Sequence, residues 1–421
     1  MKQTIYNFNK TSWLEILLLI SISILGILMG FRDGTPVYRC LQVIFLLLTI
    51  LIIKNQKTSS LSSLPKSRIF ELLIIITLPT LAILFSPNTP SGVESFIPIT
   101  LLGLYFSSQR GKKGLFIFSL SCTISIIITF FYHLIQVKGF SFDRLFLLGQ
   151  NPNITSVYLS CLIIIFSIIT EKIKRNGILF LCFICLFSLS FLLFLTVSRA
   201  SILSLSIIVL GVISHYFLRK RFALAFCILF ALLLGFSSAS LNLSTYEKNR
   251  IKNIANINES ITNENENSKS NPLESRFIIY YITLENFSTA NNKEKINGLP
   301  LDSFSEKYNQ FVLKNETKIR ENFHQYFEHI MCHPHNVYLY MLWGYGFFGL
   351  LTFLLLNLYI LYHSIKNKNM IALSLTCFLL IQGLVDVSIN FFFGKFLWIL
   401  PLGLVLYDHI LAKRKNIEEN I

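Results

Sequence analysis

Met331-Cys332-His333-Pro334-His335-Asn336 closes the one long polar segment of this 421-residue chain. The segment begins near Asn242, and at Val337 the sequence turns apolar again. Runs of Leu, Ile and Phe on both sides are long enough to cross a bilayer, which takes roughly 20 apolar residues per helix. The chain is 53% hydrophobic with a mean hydropathy of +0.59, and only 14% of its residues are charged. A soluble domain carries about 25% charged residues. The composition therefore excludes an ordinary soluble enzyme and predicts an all-α polytopic membrane protein.

Working outward from the polar segment, we read about twelve spans. They lie near 13–31, 38–54, 68–87, 93–108, 114–137, 153–170, 176–197, 200–218, 221–241, 337–363, 369–390 and 391–411. The boundary between the last two is weak. The run from Trp13 to Phe31 is too long for a signal-peptide core and lacks a small-residue cleavage site, so it is expected to be a retained first helix. The segments between spans alternate in charge. One set, which includes Lys54, Lys57, Arg110, Lys172, Arg219, Lys366 and Lys413, holds 20 Lys and Arg. The other short segments hold 6, namely Arg32, Arg39, Lys138, Arg144, Arg199 and Lys395. Positive charge accumulates on the cytoplasmic side. Both termini are thus expected in the cytoplasm and the polar segment on the outer face. The net charge of +15 is then a topology signal, and nucleic-acid binding is not needed to explain it.

The expected organisation is 1–241 as spans one to nine, 242–335 as the outer loop, and 336–421 as spans ten to twelve with a cytoplasmic tail. Within the loop, Asn249 to Asn271 is rich in Asn, Glu and Ser and is expected to be mobile. Leu273 to Phe287 carries apolar residues at helical spacing. Asn297-Gly298-Leu299-Pro300 is a turn signal. Ser303 to Ile330 reads as a second amphipathic helix, ended before Pro334.

Three outer segments carry chemistry. Gly149-Gln150-Asn151-Pro152-Asn153 follows Asp143-Arg144 and opens the sixth span. Ser198-Arg199-Ala200-Ser201 is a very short connection between spans seven and eight. His335-Asn336 opens the tenth. An arginine between two apolar helices is costly unless it is paired or serves a cavity, and snorkelling to the headgroups explains Arg199 about as well. Arg276, taken alone, reads as a solvated helix charge near Glu274. His335 has an imidazole suited to general-base work near neutral pH, and Asn336 is placed to cap the tenth span.

Other patterns are weaker. His324, His329, Cys332, His333 and His335 cluster in sequence, but their spacing fits no standard zinc site and Pro334 interrupts it. No metal and no cofactor are expected. Of eight cysteines, only Cys332 lies in the loop, so no loop disulfide is expected. Gly344-Tyr345-Gly346-Phe347-Phe348-Gly349 matches a dinucleotide-binding pattern by letter only, because it follows no strand and lies in a span. Close packing at small residues is the better account. Asp386, in the eleventh span, reads equally as a paired structural charge or a functional group.

Taken together, these segments resemble the O-antigen ligase family, a membrane superfamily shared with O-antigen polymerases. The resemblance rests on Gly149 to Asn153, Ser198 to Ser201, Arg276 within Glu274-Ser275-Arg276-Phe277, and His335-Asn336-Val337-Tyr338-Leu339 followed by Gly346 and Gly349. It extends to the twelve-span layout with one large, partly helical periplasmic loop. Tyr280 and Tyr281 stand where the family commonly has Trp, and His333 adds a second histidine.

The resemblance implies a GT-C-like glycosyltransferase with Arg199, Arg276 and His335 as its catalytic residues. His333, Asn336, Arg144, Gln150, Asn151 and Asn153 are the substrate-binding candidates. It implies a glycan donor on undecaprenyl diphosphate, a lipid A-core acceptor, and work at the periplasmic face of the bacterial inner membrane. Membrane lipids are expected partners and nucleic acid is not. An O-antigen polymerase, a protein-glycan ligase and a polysaccharide transporter or flippase are the rival readings. A transporter would place its polar groups through the bilayer midplane, whereas these gather at one face. The topology is directly testable. A reporter fused near Ser268 should read periplasmic and one fused after Lys415 cytoplasmic, and a cytoplasmic signal from the loop would overturn the placement of every candidate.

Overall fold

A computed structural model describes residues 13–31, 35–56, 96–108, 111–137, 152–173, 175–244, 272–315, 317, 319, 333–387 and 395–406. Their regular secondary structure is helical, with no β-strand among the described residues. The elements are α1 Trp13–Phe31, α2 Thr35–Gln56, α3 Phe96–Ser107, α4 Gly111–Val137, α5 Pro152–Ile169, α6 Asn176–Leu195, α7 Arg199–Leu218 and α8 Phe222–Asn242. There follow α9 Pro272–Ser288, α10 Asn292–Asn297, α11 Phe304–Lys314, α12 Val337–Lys366 and α13 Met370–Gly383. A last apolar helix, α14, spans Lys395–Leu406. Among the described residues, six helices are long and apolar enough to cross a membrane, and α1, α2, α3, α13 and α14 carry shorter apolar stretches. The chain is an all-α polytopic membrane protein.

Most expected spans lie within a few residues of these helices. The third, near 68–87, lies outside the described residues, as do Arg144, Gln150, Asn151 and the stretch from Asn249 to Asn271. The eleventh span is shorter than expected. α13 stops at Gly383, and residues 384–387 form a turn and extended chain.

α5 is the axis of the bundle. It is apolar on every side, so no polar face remains to meet solvent. Every residue except Asn153 and Ile169 is buried, and α4, α6, α7 and α13 pack around it. At one end, the Tyr216 hydroxyl donates to the Ser167 carbonyl (2.7 Å), and Arg219 and Arg221 bracket Glu171 at 2.9 and 3.6 Å. The other end faces the polar segment.

That segment builds its own small core. On α9, Ile278, Ile279 and Ile282 face Phe304, Tyr308 and Val312 of α11, and Leu342 and Trp343 of α12 complete the cluster. The spacing of Phe304, Tyr308 and Val312 is the one-face repeat of an amphipathic helix. Each such side chain contributes roughly 1.5–3 kcal/mol on burial. α10 was not expected. A capping box creates it, with the Glu294 amide donating to Asn291 Oδ1 (2.9 Å) and the Asn291 amide to Glu294 Oε2 (3.0 Å). The second loop helix is interrupted at Asn315 (φ −125°, ψ 27°); residues 317 and 319 are helical again, and 320–332 lie outside the described residues.

The glycines after Trp343 explain how the loop is seated. Gly346 has φ 66° and ψ −169°, a backbone that is close to glycine-only. It breaks the ladder of α12 and leaves Trp343 without its usual partner four residues on. The Leu299 amide donates to that carbonyl instead (2.6 Å). Gly298, at φ 92°, lies against Gly344 and Tyr345, while a Cβ on Gly346 would strike the Ile296 carbonyl. Small residues do permit close packing here, as read from sequence, but what approaches is the backbone of residues 296–299.

Gly346→Ala should therefore unseat this segment and speed tryptic cleavage at Lys293 and Lys295. Gly211→Ala, where an added Cβ meets nothing, should leave cleavage at the wild-type rate.

Candidate functional site

The site forms where α5, α7, α12 and α13 reach the loop end of the bundle. The connection from α6 to α7 is three residues long, 196–198. Thr196 ends α6, Val197 adopts φ 52°, and Ser198 precedes α7 in extended conformation. A β-branched residue at positive φ is a genuine outlier. Ser198 donates to Asn153 Oδ1 at 3.3 Å, and the hydroxyls of Ser156 and Ser201 lie 2.6 Å apart. Arg199 is thereby fixed as the first residue of α7, half-buried and engaged with its surroundings. Asn153 is tied into this same turn. α7 in turn meets α13, where Ser204 Oγ lies 3.4 Å from Gln382 Oε1. Arg199 and the end of α13 thus share one end of the bundle.

Residues 333–336 form the second half of the site. Pro334 is buried, and His335 sits at φ 50°, a conformation that costs on the order of 1–3 kcal/mol. The turn folds the two imidazoles together, with ring centroids 4.2 Å apart. The His335 amide donates to His333 Nδ1 (3.3 Å). Asn336 caps α12 as expected. Its Oδ1 accepts from the amides of Tyr338 (2.9 Å) and Leu339 (3.0 Å). Its Nδ2 donates to the Leu384 carbonyl (2.9 Å).

α9 brings the third part. Arg276 lies close enough to His335 to act on it electrostatically. Burial, then His333, then the Arg276 cation push His335 from an ordinary imidazole value down to about 3. Burial also lowers His333, opposed by the Asp386 carboxylate. His335 is therefore neutral, and so able to accept a proton, throughout the physiological range, while Arg276 stands beside it as a fixed cation.

Among the sequence-predicted residues, the structure brings Arg276, His333, His335 and Asn336 together. It places Arg199 and Asn153 at the same end of the bundle, on the neighbouring helices. Arg144, Gln150 and Asn151 lie outside the described residues, as do His324, His329 and Cys332. Among the described residues, no three His, Cys, Asp or Glu side chains converge as a metal-binding set.

Two contributors were noted in the sequence but not assigned to the site. Asp386, whose role sequence left open, is buried beside His333 and Tyr280, and its Oδ1 accepts from the Val387 amide at 2.8 Å. Tyr280 reaches the Leu384 carbonyl. Its spacing, four residues after Arg276, was the available signal, because side chains at that interval share a helix face.

The arrangement suits charge stabilisation next to a neutral proton acceptor, in a half-buried setting where electrostatic interactions are stronger than in water. The O-antigen ligase family model matches residues 181–354. No curated protein matches the chain. The matched segment contains Arg199, Arg276, His333, His335 and Asn336, together with the loop and its seat on α12. Its activity, at the level the family sets, is glycosyltransferase-like glycan ligation or polymerisation, which fits a fixed cation beside a neutral imidazole at one face of a multi-pass bundle. Over this segment the chain is similar to the O-antigen ligase family.

Proposed function

We propose that the chain is an O-antigen ligase of the bacterial inner membrane, transferring a glycan from undecaprenyl diphosphate to a sugar hydroxyl of lipid A-core at the periplasmic face. The observation that carries this reading is the pairing of Arg276 with a neutral His335. In the reaction, the acceptor oxygen forms a bond to the anomeric carbon as the bond to the diphosphate oxygen breaks. His335 takes the acceptor proton as general base. The negative charge on the departing diphosphate falls to Arg276 and Arg199, whose planar guanidinium groups match phosphate oxygens in pairs. Direct displacement inverts the anomeric configuration. The energy resides in the diphosphate linkage, so neither ATP nor a metal ion is called for.

A base held at about 3 is weak, and the same electrostatics supplies a remedy. A diphosphate seated on Arg276 offsets one of the three causes that lower His335, after burial and His333. Donor binding then raises the basicity of His335 when the acceptor needs it.

Purified protein in lipid nanodiscs, given lipid-linked glycan and lipid A-core, should form capped product in the presence of chelator and without ATP. Chain extension of the lipid-linked glycan in place of capping would make the protein a polymerase. Activity lost to chelator and restored by one divalent metal would overturn the metal-free mechanism.

Arg276→Ala should lower transfer about 10²–10³-fold, as removal of a charge-stabilising donor does. Arg276→Lys should recover little of it, since an ammonium lacks the planar fork. His335→Ala should retain donor binding and lose roughly 10²–10⁴ in rate. His333→Ala should do less damage. If His333→Ala is inactive and His335→Ala active, the base has been assigned to the wrong histidine.

The pH dependence follows from the lowered value of His335. The neutral form prevails above the folded value, so kcat/KM should stay level from pH 8 down to about 5, without the fall near 6.5 that an ordinary histidine gives. The kcat profile reports the donor complex, and its acid limb should lie at higher pH than that of kcat/KM. Coincident limbs in the two profiles would exclude activation of His335 by the bound donor.

A further inference from the structure

We infer that Tyr280 is a positioning residue of this site: its hydroxyl holds the helix bearing Arg276 to the carbonyl on which Asn336 sets His335. The inference deepens the proposed transfer reaction and rests on it for the catalytic readout.

The geometry runs through one oxygen. The Leu384 carbonyl lies just beyond α13, in the last turn, where carbonyls lack intrahelical partners. A carbonyl oxygen has two lone pairs. Here one side-chain donor comes from Asn336 at 2.9 Å and the other from Tyr280 at 2.7 Å. Asn336 is contiguous with the strained His335, and Tyr280 lies one turn after Arg276 on α9. The separation of the arginine from the histidine is therefore measured across a single acceptor belonging to a third element. Tyr280 has one hydroxyl proton, and the second carbonyl near it, that of His335, lies farther off at 3.3 Å. Burial keeps the phenol protonated and hence a donor. The Tyr280 ring separately meets Phe277 edge to face at 6.4 Å and packs against the loop core. Removing the oxygen alone leaves that packing in place.

A displacement of about 1 Å in a catalytic constellation costs on the order of 10² in rate. Tyr280→Phe should therefore lower kcat 10- to 100-fold, with donor KM changed less than threefold because Arg276 is still present. Hydrogen exchange should quicken in the amides of residues 276–284 and stay unchanged in α11, residues 304–314. A merely structural role would instead raise exchange across the whole loop core and leave kcat of the folded fraction intact. Unchanged exchange at 276–284 overturns the latch. Faster exchange with wild-type kcat overturns the positioning role. If wild-type protein transfers no glycan from the undecaprenyl diphosphate donor, the ligase reading fails, and exchange alone then decides whether Tyr280 holds α9 to Leu384.

Discussion

A carbonyl left without a partner inside a membrane span costs several kcal/mol, and the kink at Gly346 leaves one at Trp343. The Leu299 amide satisfies it. The loop is thereby hydrogen-bonded into the frame of the bundle. Much else follows from that one bond. Trp343 also packs edge to face on Phe304 (5.0 Å), and its indole donates to the Pro300 carbonyl (3.3 Å). These contacts seat α11, α11 seats α9, and α9 presents Arg276. The position of a candidate catalytic cation is traceable to a defect in a helix 70 residues further along the chain.

Among the described residues, two of the four non-glycine residues at positive φ, Val197 and His335, lie in the two turns that carry candidate catalytic groups. Each sits beside a buried polar network that holds it in place, the serines around Asn153 in one case and Asn336 with Leu384 in the other. Strain of this kind persists only where the surroundings over-determine the backbone. Here it allows Arg199 to start α7 directly after α6 and folds the two imidazoles onto each other. Other local geometries would set these side chains elsewhere.

Much of this was legible in the amino-acid sequence, for identifiable reasons. Long apolar runs declare membrane helices without help from tertiary structure, because each span satisfies its own backbone. Arg199 and His335 stood out because charge and imidazole are conspicuous where apolar helices end, whereas Arg276 reads as an ordinary solvated charge until the family resemblance singles it out. Three features were not legible. The early end of α13 depends on a turn that carries no Pro or Asn signal at 384–387. α10 is too short to show periodicity and is made by a capping pair. The Leu384 carbonyl, on which two site residues converge, belongs to the backbone, and backbone acceptors leave no trace in residue type. Tyr280 was visible only as an aromatic residue, and its hydroxyl gained meaning once α13 was seen to end beneath it.

Because the convergence point is a main-chain oxygen, the Leu384 side chain, 53% exposed, is irrelevant to it. Residue 384 is free to drift among ordinary amino acids with the site intact. A gain or loss of one residue between Gly383 and Asp386 is a different matter. It would rotate the carbonyl away from both donors and shift Asp386 relative to His333 at the same time. Among homologous chains this stretch should accept many identities and a single length, so that its importance is recorded in alignment gaps and not in conserved letters.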